Sequence, residues 1–442
     1  MVSNTHQTLK RMKIDYFIRS SAILLITLLC FTRCSDQCKV TTTYTYYEPV
    51  YITSAQLKAQ VEVQPPHTLK ELGRIYFKDG YLFINEKGNG IHVIDNRNPS
   101  SPQAISFLHI PGNYDLAIAN QTLYADSYVD LVAFDISDIT NIKEVNRIGS
   151  LFNHYQSMGM QVASEKGILV DWQVNENVTV YKTECDQQQP WGGIYYDRGF
   201  ALTQSASASF SSKAAIAPSG TTTGVGGSMA RFTISGNHLY AMDGGNLDIV
   251  EVSSPPRPVA KKEVPIAWDM ETIFPRDNHL FFGTQTGMLI YDIQNAESPT
   301  LVSRYSHIRS CDPVVVEGDY AYVTLRSGSA CAGFTNQLEV IDISNLTTPT
   351  LVKTCAMTGP YGLGIDNGTL FVCDGTSGLR VLDARDVTKV CDKQLASYSN
   401  IHALDIIPYQ GIAMMIGEDG LYQYDYTNPA DIKLLSTLAL QK

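Results

Sequence analysis

Several polar side chains in this sequence could together bind a ligand. The acids Asp115, Glu271 and Asp312 each precede a short apolar segment, and comparable loops carry His154, Trp268, Tyr361 and His402. Carboxylates ligate Ca²⁺, and carboxylates among aromatic rings bind sugars or cations. If the fold places these loops on one face, the seven residues form a candidate ligand-binding ring. The alternative is that they line a polar, solvated channel mouth.

The sequence motifs of common catalytic and cofactor sites are missing. The chain has no G-x-S-x-G, H-E-x-x-H, P-loop, EF-hand or dinucleotide pattern. Its nine histidines show no metal-ligand spacing, and its cysteines form no C-x-x-C pair. We therefore predict no catalytic residue, no metal site and no cofactor, with Ca²⁺ as the one candidate ion for the acidic ring.

The composition is that of a folded, acidic protein. Hydrophobic residues make up 44% of the chain and charged residues 17%, which excludes disorder over its whole length. The net charge is −11, and removal of residues 1–33 would take away five bases and one acid and leave −15. Nucleic acid is excluded as a partner, because binding its phosphates requires a basic surface.

The first 33 residues have the pattern of an export signal. Basic residues between Lys10 and Arg19 precede an apolar core at residues 22–31, which is too short to span a bilayer stably. An N-terminal membrane anchor is the alternative. The stretch FTRCSDQC resembles the signals of bacterial lipoproteins, which implies that Cys34 is lipidated, with Cys30 as the other candidate. This implies an outer-membrane lipoprotein, either periplasmic or surface-exposed.

A repeat dominates the rest of the chain. Seven times a short apolar alternation ends in an acid and is followed by a turn rich in Ser, Asn and Pro; the acids are Asp95, Asp135, Glu251, Asp292, Asp342, Asp383 and Asp425. Their spacing is 40 to 50 residues except for one gap of 116. Each copy contains four short strand patterns separated by turns, which is typical of a β-propeller blade.

The repeat predicts an all-β fold, a β-propeller of eight four-stranded blades within residues 71–442. We expect the blades at residues 72–110, 114–150, 156–183, 228–265, 269–306, 312–355, 361–397 and 402–439. The copy at 156–183 lacks the acid, so seven blades with an accessory hairpin remain the alternative. Residues 34–70 form a tether with an N-terminal strand, and Val61–Leu69 could close the ring on the last blade.

The strand motifs VID, AFDIS, VIDIS and VLDAR resemble the LVIVD-repeat family of surface proteins of bacteria and archaea. The resemblance covers most of residues 71–440 and extends to lipoproteins of the Bacteroidetes type. It implies a β-propeller in the cell envelope and no generally assigned reaction. The repeated acid is interpreted as structural, because Asp before a turn accepts the amides of that turn.

Two features are particular to this chain. Residues 184–226 form a long insertion whose first half is aromatic and could be a docking surface or a packed lid. Cys311 and Cys331 fall on one face of a single blade, so we predict a disulfide between them in an oxidising envelope. Cys355 and Cys391 fall on neighbouring outer strands and form a second candidate pair.

These observations favour a non-catalytic binding or interaction module of the bacterial envelope, whose partner is an envelope protein or a glycan. The competing hypothesis is an envelope hydrolase or lyase that uses Asp115, Glu271, Asp312 and His402 in the channel mouth. A purely structural scaffold of an envelope complex is the third possibility. The lipid anchor would be the chain's only contact with the membrane.

Overall fold

The structure is a computed structural model that describes residues 40–42, 46–153, 156–157, 160–161, 166–175, 181–183, 223–254, 257–307, 310, 313–327 and 335–440. The chain divides into two units. One consists of Pro49–Asp171 and Ala214–Lys442, and the other of Met1–Glu48 and Trp172–Lys213. We call the first the propeller unit, because every described sheet of four or more strands lies in it.

Seven antiparallel sheets make up the propeller unit, and each contains four strands that follow one another in the chain. From the inner to the outer strand, blade 1 consists of Leu72–Lys78, Tyr81–Glu86, Gly90–Asp95 and Gln103–His109, and blade 2 of Leu116–Ala119, Thr122–Ser127, Asp130–Asp135 and Lys143–Ile148. Blade 3 consists of Phe232–Ser235, His238–Asp243, Asn246–Glu251 and Val259–Pro265, and blade 4 of Met270–Arg276, His279–Thr284, Gly287–Asp292 and Thr300–Ser306. Blades 5 to 7 consist of Val314–Glu317, Tyr320–Leu325, Gln337–Asp342 and Thr350–Ala356; Leu363–Asp366, Thr369–Cys373, Leu379–Asp383 and Gln394–Tyr398; Ala403–Tyr409, Ile412–Gly417, Gly420–Asp425 and Lys433–Ala439. A 3₁₀ turn, Val387–Lys389, precedes the outer strand of blade 6.

The residues between the strands explain the tight turns. Asp79 and Gly80 join the first two strands of blade 1 with φ of 49° and 82°, a conformation that a hairpin turn of this kind needs. At the end of the third strands, the carboxylates of Asp95, Asp342 and Asp425 accept the amide two residues later at 3.1, 2.8 and 2.8 Å. The structural interpretation of the repeated acid is therefore confirmed.

Burial decreases from the middle of each blade to its outer strand. All six residues of Thr122–Ser127 in blade 2 are buried, whereas six of the seven residues of Val259–Pro265, the outer strand of blade 3, are exposed. Neighbouring blades cover both faces of the inner strands, so those strands are mostly apolar, with isolated charged residues such as Arg74 and Asp405. The outer strands face solvent and alternate only weakly.

The ring closes between the last blade and the first. The inner strand of blade 2 lies beside that of blade 3, and the inner strand of blade 7 lies beside that of blade 1. Ile84 of blade 1 packs in one apolar cluster with Met414 and Ile416 of blade 7. The side-chain amide of Gln423 donates to Asn96 Oδ1 across this junction at 2.6 Å. Closure therefore depends on side-chain packing, and among the described strands none pairs with both blade 1 and blade 7.

The prediction of eight blades is wrong, and the ring has seven. The third predicted blade, at 156–183, is absent from the ring, where blade 2 directly adjoins blade 3. Its described strands pair elsewhere: Gln156–Ser157 with Met160–Gln161, Ile168–Asn175 with Tyr46–Ile52, and Tyr181–Thr183 with Val40–Thr42. The segment lacks the acid that ends the third strand of the seven blades.

The N-terminal part of the propeller unit adds one helix and one strand. Helix α1, Ser54–Gln60, begins at Thr53, whose hydroxyl accepts the amide of Gln56 at 3.2 Å. The strand Glu62–Gln64 then pairs with the outer strand of blade 1, with Glu62 opposite His109. The expected extra outer strand is therefore present, but it lies on the first blade and not on the last. No helix in the described part of the chain is long and apolar enough to cross a membrane.

A disulfide joins blades 5 and 6. Cys355 lies in the outer strand of blade 5 and Cys391 just before that of blade 6, with their Cα atoms 5.3 Å apart. This confirms the pairing predicted from neighbouring outer strands. The predicted pair Cys311–Cys331 lies outside the described residues, as do Cys34 and residues 1–33.

Candidate functional site

One face of the propeller unit carries most of the predicted site residues. In every blade the loop before the inner strand and the loop between the second and third strands lie on the same side, which we call the front face. Trp268 there is 73% exposed, whereas Glu271, Tyr361 and His402 are half-buried. His154 and Asp312 lie outside the described residues.

Asp115, predicted to bind a ligand, is 2% exposed, and its carboxylate accepts hydrogen bonds from main-chain amides. Its Oδ1 accepts the amide of Leu116 at 2.7 Å, and its Oδ2 accepts the amides of Arg231 and Phe232, the latter at 3.1 Å. Burial raises the pKa of Asp115, while the charge of Arg74 and these amides oppose the rise. The carboxylate therefore ties the start of blade 2 to the start of blade 3.

Residues 223–231, which we call the channel segment, cross the space that the inner strands enclose. Val225 and Gly226 pair with Phe77 and Tyr76 of blade 1, and the amide of Gly224 donates to Ile118 O of blade 2 at 3.3 Å. The amide of Gly227 then donates to Ile75 O at 3.0 Å. The segment thus adds a fifth, innermost strand to blade 1.

The channel segment also contacts blades 4, 6 and 7. Ser228 Oγ donates to Asp405 Oδ1 at 2.9 Å and accepts the amide of Leu363 at 2.9 Å. Ala230 O accepts the amide of Ile273 at 3.0 Å. A segment bonded to the inner strands of five of the seven blades occupies much of the channel that they surround, and a cavity of about 190 Å³ remains beside it. The expectation of an open channel lined by ligand-binding residues is therefore not met at Asp115.

Glycine is required where the channel segment passes Asp405. A Cβ on Gly227 would lie 2.1 Å from Asp405 Oδ2, and one on Gly224 would lie 2.3 Å from Tyr76 Cε1. Burial raises the pKa of Asp405 to about 6, against its bond from Ser228 and the charge of Arg74. The sequence prediction assigned residues 184–226 to an insertion, but 223–226 belong to the channel.

Asp405 is a structural residue that the sequence prediction missed. Four charged residues occupy the same position in their blades: Arg74 in blade 1, Asp115 in blade 2, Arg231 in blade 3 and Asp405 in blade 7. In each case the next residue pairs with the third residue from the end of the second strand. Their charges therefore alternate around adjacent blades. The shared signal is visible in the segments YDLAI and ALDII, where Asp comes before the same apolar pattern.

A second cluster, formed by Arg326, Tyr361, His402 and Glu418, lies on the front face of blades 5 to 7. The guanidinium carbon of Arg326 stands 4.1 Å above the ring centroid of Tyr361, and the rings of Tyr361 and His402 are 5.6 Å apart. His402 Nδ1 lies 2.7 Å from Glu418 Oε2. The fold thus brings together two of the predicted site residues, and the sequence prediction missed Arg326 and Glu418.

The clefts of the front face are shallow around Asp115 and larger at the closure of the ring. A cavity of about 40 Å³ beside Asp115 and Asp126 is far smaller than the few hundred Å³ of a typical small-molecule site. Burial raises the pKa of Asp126 to about 7, although its carboxylate accepts the amides of Tyr114 and Asp115 at 2.9 Å. A cleft of about 610 Å³ lies between blades 1 and 7, lined by Lys70, Glu71, Glu86, Lys87, Asn89, Glu418, Asp419 and Leu440.

Comparison with solved structures relates the chain to other proteins by fold. The structure of the periplasmic gluconolactonase PpgL of Pseudomonas aeruginosa matches with a TM-score of 0.50 at 11% identity, over 84% of this chain and 95% of that one. A protein of Lactobacillus plantarum matches at 0.49 and 12% identity, over 84% and 96%. BamB of Moraxella catarrhalis matches at 0.45 and 7% identity, over 87% and 97%. None of the curated proteins matches the chain.

A sequence model of the LVIVD repeat matches residues 73–107, 226–265 and 308–357. These ranges coincide with blades 1, 3 and 5, so the matched repeat and the structural blade are the same unit. The chain is a β-propeller of seven four-stranded blades that contains LVIVD repeats, matched at blades 1, 3 and 5.

Proposed function

We propose that the protein is an exported, lipid-anchored binding module of the bacterial cell envelope, whose front face docks a protein partner. The observation that carries the proposal is the chain's own segment in the channel, which leaves a cavity of only about 190 Å³ beside it, less than the few hundred Å³ of a typical small-molecule site. The space in which a propeller enzyme would place its reacting groups holds the chain's own residues 223–231, and Asp115 and Asp405 are engaged with main-chain and hydroxyl groups. Binding is thereby left to the surface of the front face.

The front face offers side chains that dominate protein interfaces. Tyr114 is 42% exposed before blade 2 and Trp268 is 73% exposed before blade 4, while Tyr361 lies under Arg326 before blade 6. Trp, Tyr and Arg are enriched among the residues that contribute most to protein binding. Since these side chains belong to loops on the same side of a rigid ring, a single partner surface could contact several of them.

The hydrolase or lyase alternative gains no support from the described residues. It requires Asp115 as an acid or base, yet that carboxylate is buried and accepts three main-chain amides. His402 is engaged with Glu418, and Glu271 stands in the inner strand of blade 4. The likeness to the gluconolactonase is one of fold and transfers no residues.

The proposal is tested by photo-crosslinking in cells with a photoreactive residue at position 268, and by affinity capture of the crosslinked partner. Trp268→Ala, Tyr361→Ala and Arg326→Ala should each weaken binding at least about tenfold, because truncation of such residues costs about 2 kcal/mol or more. Leu434→Ala is the matched control, since Leu434 is 54% exposed on an outer strand. Cys34→Ala should leave the protein in the soluble fraction.

Two outcomes would overturn the proposal. One is partner binding that all three front-face substitutions leave at the wild-type level. The other is turnover of an ester or glycan substrate that is lost in Asp115→Asn while the fold is retained, which would favour the enzyme. Capture of a glycan instead of a protein would replace the partner class.

A further inference from the structure

Two histidines and a glutamate meet at the front edge of blade 1. Their candidate ligand atoms all lie within 4.8 Å of one another. His92, in the third strand, is 1% exposed and Glu86, the last residue of the second strand, is 5% exposed. His67 is half-buried and comes from the segment between the extra outer strand and blade 1. Spacing in the sequence gives no hint of this group, because pairing of strands brings it together.

We propose that His67, Glu86 and His92 form a binding site for a divalent transition metal, with Zn²⁺ as the best fit. Two imidazoles and one carboxylate are a ligand set that zinc uses in proteins, with the fourth position left to water or a ligand. A tetrahedral ion with bonds of about 2.1 Å needs ligand atoms about 3.4 Å apart, so side-chain rotations that shift the ligand atoms by about 1.4 Å would close the site.

The neighbouring groups already orient the three side chains. Thr68 O lies 2.9 Å from His67 Nδ1, so this nitrogen carries the proton and Nε2 remains for a metal. Glu86 Oε1 accepts a hydrogen bond from the side-chain Nδ2 of Asn89 at 2.6 Å, and Glu86 Oε2 lies 2.9 Å from His92 Nε2. The bonds with Thr68 and Asn89 would hold the rotamers of the ligands and raise affinity, whereas the hydrogen bond between Glu86 Oε2 and His92 Nε2 would be replaced by bonds to the ion.

An aromatic ring packs against the two histidines, and an acidic cleft lies beside the glutamate. The ring of Phe107 packs 4.3 Å from His67 and 4.7 Å from His92, measured between centroids. Glu86 also lines the cleft between blades 1 and 7, where Glu71, Glu418 and Asp419 outnumber the two lysines. Negative potential in the cleft would draw cations toward the carboxylate.

The bound ion would link the N-terminal segment to blade 1. His67 belongs to the segment that leads from the extra outer strand into the ring, and the two other ligands belong to the blade itself. Zinc should therefore stabilise the folded chain, because an ion that binds only the folded state raises its melting temperature with concentration.

The test uses the exported chain without a histidine tag, freed of metal by a chelator and titrated with ZnCl₂ in a calorimeter. We expect one ion per chain, a higher Tm with zinc, and the visible absorption of tetrahedral Co²⁺ when cobalt replaces zinc. His67→Ala and Glu86→Gln should each weaken binding by about 100-fold or more. His67→Ala serves as the main variant, since His67 is half-buried and its loss should leave the blade folded.

His279→Ala is the matched control, because His279 starts the second strand of blade 4 and is far from the three ligands in the chain. It should bind zinc like the wild type. The proposal is overturned if the wild type shows no zinc-dependent heat or Tm change, or if His67→Ala binds as tightly as the wild type. In either case the group is a buried histidine–glutamate pair that serves the fold alone.

Discussion

Asp248 is a carboxylate whose environment disfavours its charge. It lies in the third strand of blade 3, is 3% exposed, and its Oδ2 has no hydrogen-bond partner in the described structure. Burial, together with the negative charges of Asp243 and Glu263, raises its pKa to about 8. Glu263 pairs directly with it on the outer strand. At neutral pH this residue should therefore favour the protonated form.

The raised pKa makes stability depend on pH. The folded state binds the proton more tightly than the unfolded chain, whose aspartates titrate near about 3.9, so this residue's contribution to stability falls as pH rises from about 4 to about 8. Asp248→Asn should therefore have a Tm several degrees above the wild type at pH 8.5 and nearly the same Tm at pH 4.5. Thermal unfolding at both pH values measures this.

Asp277→Asn is the control, because the side chain of Asp277 is 79% exposed in a turn. The difference in Tm between this variant and the wild type should be the same at both pH values. Equal gains for Asp248→Asn at both pH values would contradict the assignment, since the benefit would then come from the amide and not from removal of the charge.

At the scale of elements, the channel segment depends on residues without a side chain. Gly227 passes Asp405 so closely that a Cβ would lie 2.1 Å from Oδ2, and a Cβ on Gly362 would lie 2.2 Å from Oδ1 of the same carboxylate. Asp405 itself is held by Ser228, so neither partner can move freely. The glycines are therefore fixed by close approach of two elements across the channel.

Gly227→Ala should destabilise the protein by about 1–3 kcal/mol, the usual cost of overpacking a tight contact. Urea unfolding followed by tryptophan fluorescence measures the change. Gly359→Ala is the matched control, because a Cβ there meets nothing within 4 Å. If both substitutions were equally tolerated, the channel segment would not be packed against Asp405 as described.

At the scale of the whole ring, closure depends on a few contacts between blades 7 and 1. Gln423 is fully buried and its amide reaches Asn96 Oδ1 at 2.6 Å, while Ser436 Oγ donates to Pro99 O at 2.6 Å. Because no strand is shared, these bonds and the apolar cluster around Ile84 and Met414 join the two ends of the ring.

Gln423→Ala should therefore cost about 1–3 kcal/mol of stability, since it leaves buried Asn96 without its partner. Equilibrium unfolding in urea gives the value. Gln394→Ala on the exposed outer strand of blade 6 should stay within about 0.5 kcal/mol of the wild type. A cost at Gln423 no larger than at Gln394 would mean that the closure does not use this bond.

The sequence predicted seven of the blades to within a few residues, because acid, turn and apolar alternation recur in each. It failed at 156–183, where short alternating stretches resemble strands but pair outside the ring. An alternating pattern predicts only that a segment is extended. Which strand the segment pairs with depends on the sheet edges that the tertiary structure brings near it. The disulfide Cys355–Cys391 was predictable for the opposite reason, since the repeat places one cysteine on an outer strand and the other just before the neighbouring outer strand.

The sequence by itself determined the repeat, the β-propeller and the structural role of the repeated acids, since these follow from local periodicity and turn chemistry. The tertiary structure decided the number of blades, the entry of residues 223–231 into the channel, and the meeting of His67 with Glu86 and His92. The first two depend on residues that are distant in the chain and become neighbours only in the ring, and the third depends on strand pairing in blade 1. No local pattern encodes such proximity, so the sequence placed Asp115 at an open channel mouth, where the fold has it holding two blades together.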